Sequence, residues 1–416
     1  MTPMLRVSLA FSPDAGVPVG RLALERNVAV FEYDGTFAAT GLSVNPVFGP
    51  VRPGLLRPRD PRAFRGLHGV FADSLPDAWG ELLVGRRLRH AGVAVSSLTV
   101  LDRLALVGRR GRGALVYEPA RDDEAPAGKL DLDRLADEAV EVMEGHESAV
   151  LRELERLGGS SGGARPKVQV ALDDAGQART DDDAPAPGFT SWIVKFRGSV
   201  DRADIGPLEA AYAEAARRAG IDMPRTRLIA ASSGPGYFTT ERFDRAPDGR
   251  RLHMLSVAGM LDADWTVPAI DYETLLGAVR GATHDEGAVL QMYRRMVFNV
   301  LAVNRDDHTK QHALLLDRNG VWRLSPAYDL TFAYGPGNEH YLTVNGRGRE
   351  ITRRDLLAVA ETQTISRRRA DGIIAEVAEV VTELPAIARD FGITQATFAE
   401  LKEATTRQLA LAAATV

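Results

Sequence analysis

The stretch from Val300 to Leu316, VLAVNRDDHTKQHALLL, crowds two carboxylates (Asp306, Asp307), two imidazoles (His308, His312), an ammonium (Lys310) and two carboxamides (Asn304, Gln311) into nine residues. That density of proton-transfer and cation-binding groups exceeds what loop solubility requires, and it points to acid–base or metal chemistry. Twelve residues past His312 begins LSPAYDL, which sets Asp329 between apolar neighbours. Burying a lone carboxylate is costly unless something positive compensates, so Asp329 is expected to face a cation, a role a bound metal would fill.

The elements that must position these groups are legible on either side. Tyr293, Met296, Val297, Val300 and Leu301 have helical spacing, and Ala313 to Leu316 reads as an apolar strand. The polar knot between them is therefore a loop held at both ends. The order D-x-H-x-x-(N/Q), strand, apolar-flanked Asp resembles the catalytic loop and metal-binding Asp of protein-kinase-like folds. In this form it resembles the HipA-type serine/threonine kinases, the toxin halves of bacterial toxin–antitoxin pairs. The resemblance implies an α+β, protein-kinase-like bilobal fold, with a β-rich N-lobe and a helical C-lobe, preceded by a small β-rich N-terminal domain. The corresponding divisions are residues 1–112, 113–245 and 246–416.

At 416 residues and 45% hydrophobic content, the chain is large enough for two or three domains with ordinary cores. No apolar run approaches a membrane span, and no signal-like start is present, so a cytoplasmic protein is expected. Without cysteine, any metal must sit on oxygen or imidazole ligands. A net charge of −5 argues against nucleic-acid binding through bulk electrostatics. The arginine clusters at 86–89, 109–112 and 367–369 read as solvated surface. Only five lysines stand against 46 arginines, and three of them, Lys167, Lys195 and Lys310, fall inside the stretches singled out for chemistry. A compact ammonium does there what a forked guanidinium cannot.

From Leu5 to Val51 apolar and polar residues alternate between turn signals, which predicts a small antiparallel sheet. In SLPDAWGELL, Asp77 is placed to cap a helix whose apolar face carries Trp79, Leu82 and Leu83; a second helix is expected over Leu98 to Leu106. This region also resembles the HipA N-terminal domain, and it reads as a structural and partner-binding module without a catalytic constellation. Leu132 to Leu157 predicts one or two helices. GGSSGGARPK then leads into the strand Val168 to Leu172, the form of a phosphate-cradling loop, although such clusters are also ordinary linkers. Asp173 to Gly188, with Asp181, Asp182 and Asp183, reads as solvated loop.

In FTSWIVKF, Trp192, Val194 and Phe196 share one face while Ile193 and Lys195 share the other. A lysine inside an apolar strand needs an anionic partner or an edge position in water; the Gly-rich loop upstream favours phosphate. Pro207 to Gly220 reads as an amphipathic helix whose Glu209 either pairs with Lys195 or lies on the surface. Beyond His253 the chain reads as mainly helical, apart from a Gly/Pro-rich segment, Tyr334 to Arg349, expected to be mobile and substrate-facing. A closing helix is expected over Gln395 to Ala414.

The resemblance assigns roles to these residues. Asp306 becomes the base receiving the substrate hydroxyl proton. Lys195 holds the nucleotide phosphates, Gln311 and Asp329 hold Mg2+, and His308 and Lys310 shape the loop or touch phosphate. Gly162, Gly163, Ala164, Arg165, Pro166 and Lys167 cover ATP. Glu241, Arg242 and Phe243 hold the adenine from the lobe-linking segment, and Tyr328 completes the nucleotide site. Ser160, with Ser161 beside it, is the autophosphorylation position. Asp307 is expected to bond backbone amides instead. Gln311 departs from the family's usual asparagine, and its additional methylene moves the carboxamide by about 1.5 Å.

The resemblance further implies a HipB-like helix-turn-helix antitoxin as partner, operator DNA contacted through it, and a protein substrate such as an aminoacyl-tRNA synthetase. Three other readings remain: a small-molecule kinase of the same fold, a nucleotide-binding corepressor with little catalysis, and a metallohydrolase using Asp306, His308 and His312.

Overall fold

The computed structural model describes residues 2–47, 51–120, 128–146, 148–158, 163–181, 185–268 and 270–414. Ser160, Ser161, Gly162, Asp182 and Asp183 lie outside the described residues.

The alternation near the start of the chain produces strands β1 (Met4–Leu9), β2 (Val17–Glu25) and β3 (Val28–Tyr33). Arg26 and Asn27 join the last two with both φ angles positive, the turn whose twist matches that of paired strands. Strand β4 (Leu55–Leu56) comes next, then helices α1 (Gly69–Ala72), α2 (Ala78–His90) and α3 (Val100–Val107), and then β5 (Leu115–Glu118). The sheet order is β4-β3-β2-β1-β5, so its last strand lies just past the division expected at residue 112. Helix α3 packs on β1, β2 and β5, and Thr99 with Asp102 closes a capping box at its start.

A second unit holds β6 (Lys129–Leu130), α4 (Leu132–Glu144), α5 (Leu151–Gly158), β7 (Lys167–Leu172), β8 (Ala178–Thr180) and β9 (Thr190–Lys195). It is completed by α6 (Ile205–Arg218), β10 (Thr226–Ile229) and β11 (Tyr237–Glu241). The six strands run in the order β10-β11-β9-β7-β8-β6, which makes β9 a central strand and rules out the edge position for Lys195. Strand β8 lies inside the segment expected to be a solvated loop. Asp181 beside it is buried, accepting a hydrogen bond from Ser191 Oγ at 2.8 Å with Arg242 Nη1 3.7 Å away. Acid runs read as surface only until a buried guanidinium claims one member.

The remainder is mainly helical around a three-stranded sheet. Strand β12 (His253–Ser256), absent from the sequence expectation, is followed by α7 (Val257–Leu261), α8 (Tyr272–Thr283) and α9 (Glu286–Leu301). Strands β13 (Ala313–Leu316) and β14 (Trp322–Leu324) complete the sheet, and α10 (Arg353–Thr362), α11 (Arg367–Asp390) and α12 (Gln395–Ala413) close the unit. The segment expected to be mobile and substrate-facing, 334–349, bonds to the loop it faces: Tyr341 N donates to Asp307 Oδ1 at 2.9 Å, and Arg305 Nη1 donates to Asn338 O at 2.9 Å.

The apolar cores cross the domain boundaries. The N-terminal sheet shares one continuous core with the helical unit, whereas Trp79 and Leu83 of α2 belong to a separate core with α4, α5, β7 and β9. The N-terminal domain thus grips both lobes.

Two buried imidazoles, His253 and His312, and the partly buried His68 sit within this fold, and loss of water around each pushes it down to about 4. The unfolded chain binds protons at these groups near pH 6.5 and the folded chain does not, so their contribution is complete above pH 6.5 and is lost as pH falls toward 4. By pH 5 the loss is roughly 2 kcal/mol per imidazole. Urea denaturation at pH 7 and pH 5 measures it, and His253→Gln is expected to reduce the difference by about the share of one imidazole.

Candidate functional site

The register of the central sheet places Lys167 of β7 directly opposite Lys195 of β9. Both are buried, 5% and 8% exposed, and like charges facing each other across strands repel. Such a pair persists only where anions gather around it. Glu209, from the first turns of α6, accepts from Lys195 Nζ at 2.9 Å and from Arg165 Nη1 at 2.9 Å. It is 2% exposed, which excludes the surface alternative. Asp329 pairs with Lys195 from the other lobe. Its backbone adopts a φ of +59°, a strained conformation for a non-glycine residue that turns its carboxylate into the cleft. Gln311 Nε2 donates to Asp329 Oδ2 at 2.9 Å, so a carboxylate and a carboxamide stand side by side.

This crowding sets the charges. Burial opposes ionisation of Asp329, but Lys195 and Lys167, then Arg165, outweigh it and hold the carboxyl well below the usual carboxylate range. Burial likewise disfavours the Lys195 ammonium, yet Asp329 and Glu209 raise it. Lys167 is pulled down to about 8, first by burial, with the neighbouring Lys195 and Arg165 adding to the effect against Asp329.

The polar knot behaves as its flanks dictate. Helix α9 buries Tyr293, Met296, Val297, Val300 and Leu301, and Ala313 to Leu316 are buried on the far side. Asp307 turns inward and binds the loop to its surroundings: it accepts from Tyr272 Oη at 2.7 Å, from Tyr341 N at 2.9 Å, and contacts His340 Nδ1 at 2.8 Å. Asp306 faces the cleft, half-exposed, with His308 Nε2 4.0 Å away. Although the side chain is half-exposed, partial loss of water inside the cleft, and then the charges of Asp329 and Asp307, raise its carboxyl above the usual range against the pull of His308. His308 sits between Trp265 and Tyr341, with ring centroids 5.4 and 5.5 Å away. His312 is buried and does not line the cleft, so the three ligands of a hydrolase centre do not meet there.

The cleft encloses about 480 Å³, a size suited to a nucleotide. Its walls include Gly163, Ala164, Arg165, Pro166 and Lys167 on one side and His308, Lys310, Gln311 and Asp329 on the other. Glu241, Arg242, Phe243 and Tyr328 line it where the lobes join, the rings of Phe243 and Tyr328 lying 5.8 Å apart. The Arg242 side chain serves structure, since its Nε donates to Asp244 Oδ1 at 3.0 Å and its Nη1 bonds Gln169.

The chain as a whole resembles known proteins. A model of the HipA-like C-terminal domain matches residues 159–384, more than half of the chain, and one of the HipA N-terminal domain matches residues 15–118. The chain belongs to the HipA family. Two Sinorhizobium fredii proteins with kinase in their names resemble it: Y4dM at 28% identity over 267 residues, 60% of this chain and 59% of Y4dM, and Y4mE at 26% over 310 residues, 68% and 69%. The match therefore spans less than two thirds of Y4dM. A chain of the Shewanella oneidensis MR-1 HipA, HipB and operator DNA complex aligns over 98% of this chain and 96% of its own, with a TM-score of 0.69 and 15% identity. At that identity the likeness is one of fold, the kinase-like bilobal fold preceded by an N-terminal domain.

Two residues of this HipA-family cleft depart from the sequence expectation. Asp77 begins α2, but its carboxylate makes no capping bond; it reaches Gly163 N at 2.7 Å and pairs with Lys310. Burial raises that carboxyl, yet Lys310 and Arg112 outweigh burial and hold it at about 2. Arg112, expected on solvated surface, instead lines the cleft with Nη2 3.9 Å from Asp77 Oδ2. Trp265 and Tyr341 also line it, and nothing in their local sequence announces the role.

The buried charges make a direct prediction. Glu209→Gln removes the acid that Lys195 and Arg165 share, and is expected to lower unfolding stability by about 3 kcal/mol in urea titrations at pH 7.

Proposed function

We propose that this HipA-family protein is an ATP-dependent serine/threonine protein kinase acting as the toxin of a toxin–antitoxin pair. The observation that carries this reading is the convergence of a buried cross-strand lysine pair with Asp329, Gln311 and Asp306 in one cleft between two lobes. Phosphoryl transfer needs cations on the phosphates, oxygen ligands for a divalent metal and a base beside the acceptor. Each has a candidate within the same cavity.

Lys195, Lys167 and Arg165 form a cationic wall for the triphosphate of ATP. Asp329 and Gln311 offer a carboxylate and a carboxamide side by side, an all-oxygen donor set suited to Mg2+. That ion, when bound, would neutralise charge on the transferred phosphoryl group. Asp306 accepts the acceptor hydroxyl proton; its raised affinity for protons makes it a better base than an ordinary aspartate. Lys310 and His308 hold the loop's cleft face, and Glu241, Arg242, Phe243 and Tyr328 contact the adenine end.

Ser160, with Ser161 beside it, is the proposed autophosphorylation site, where a charge near −2 would be incompatible with adjacent nucleotide phosphates. The proposed partner is a HipB-like helix-turn-helix antitoxin, with operator DNA reached through it. The aligned Shewanella chain comes from a complex with HipB and operator DNA, which supports this assignment. The proposed substrate is a cellular protein bearing a serine or threonine, such as an aminoacyl-tRNA synthetase. Among the described residues no helix is long and apolar enough to cross a membrane.

Purified protein incubated with labelled ATP and magnesium is expected to label itself at Ser160 or Ser161. Asp306→Asn should reduce that transfer by at least about 100-fold while nucleotide affinity stays within a few fold. Lys195→Met should weaken nucleotide binding itself. ATP binding by the wild-type protein with no transfer to itself or to an added substrate would replace the kinase reading with the corepressor one.

A further inference from the structure

The N-terminal domain is held to both lobes by bonds that meet around one short segment. On the C-lobe side, Gly69 N donates to Asp262 Oδ1 at 2.8 Å, and Ser256 Oγ donates to Asp73 Oδ1 at 2.6 Å. On the N-lobe side, Trp79 N donates to Gly163 O at 3.2 Å and its indole Nε1 donates to Lys167 O at 3.0 Å. A Cβ on Gly158 would stand 2.6 Å from that indole nitrogen, so Trp79 packs closely against Gly158 as well as bonding Gly163 and Lys167. Residues 69–79 therefore form a bracket between the two lobes, with Asp77 and Ala78 lining the cleft.

Asp77 lies within the bracket. One carboxylate oxygen accepts from Gly163 N at 2.7 Å, the other pairs with Lys310 of the catalytic loop, and Arg112 Nη2 stands 3.9 Å away. Both Asp77 and Lys310 are only 8% exposed. A purely local role would be to cap α2, and its side chain makes no such bond. A buried carboxylate that bonds one loop from each lobe, and nothing in its own helix, couples the positions of those loops.

We propose that Asp77 is a positioning residue of the nucleotide cleft, tying the Gly-rich loop at Gly163 to the catalytic loop at Lys310. The N-terminal domain is then part of the cleft's working machinery as well as a surface for partners. That the tie serves nucleotide binding rests on the kinase reading; the tie itself does not.

Hydrogen–deuterium exchange in the full-length, nucleotide-free protein tests it. Lys310→Met lies on the opposite lobe, yet it should speed exchange in peptides covering residues 163–170 by about tenfold, the scale of losing a charge-assisted bond. Asp77→Ala should do the same or more, and the double variant should add little to either. Exchange in α9 should stay unchanged in all three, which separates a lost tie from general destabilisation. Asp77→Glu, which keeps the charge, should restore most of the protection. Additive effects, an unchanged loop, or acceleration confined to the first turn of α2 would overturn the proposal, as would uniform acceleration through α9. Because no nucleotide is present, failure to bind ATP would count against the kinase reading alone.

Discussion

Two ammonium groups facing each other across adjacent central strands are the constraint on which the cleft depends. Lys167 and Lys195 cannot stay charged and buried side by side unless acids converge on them, and Glu209 and Asp329 do so from opposite lobes. The left-handed backbone at Asp329 is consistent with that demand: the chain accepts strain where the carboxylate must point at the lysines. Arg165 adds a further cation and shares Glu209. Arg165 also pairs with Asp201 at 3.1 Å, so three cations and three acids crowd this wall of the cleft.

The loop opposite is made rigid by a different device. Asp307, fully buried, collects a tyrosine hydroxyl, a histidine and a backbone amide, and so fixes the peptide plane on which its neighbour Asp306 is carried. The adjacent carboxylates thus divide labour by environment, one holding the loop and the other facing the cleft with its proton affinity raised. A third layer comes from the N-terminal domain, whose sheet joins the C-lobe core while Trp79 and Leu83 join the N-lobe core. A domain sharing apolar cores with both lobes resists their separation, and this gives Asp77 a fixed platform.

Much of this architecture is legible in the amino-acid order. Period-two alternation marks the strands of the first sheet and the two faces of β9, and helical spacing marks α9, because burial on one face imposes those periods directly. The family resemblance, carried by the loop and by the Asp329 phrase, indicates the kinase-like fold and draws Lys195, Asp306 and Asp329 into one neighbourhood. Scarcity of lysine is also informative: the three singled out all line the cleft.

Other features are set by partners distant in sequence. Whether Glu209 lies on the surface or beneath Lys195 depends on how α6 docks against the sheet. Asp77 looks like a helix cap because a local explanation is sufficient; the bonds to Gly163 and Lys310 span 86 and 233 residues. Asp181 and Arg112 look solvated for the same reason, since a charged residue in a polar run carries no mark of the buried counter-charge awaiting it. Local periodicity encodes which face is apolar, and so the sequence by itself determined the elements and the chemistry on offer. Which charges meet, and therefore which are buried, was decided only when the lobes and the N-terminal domain closed on one another, because ion pairing depends on distance in space and not on separation along the chain.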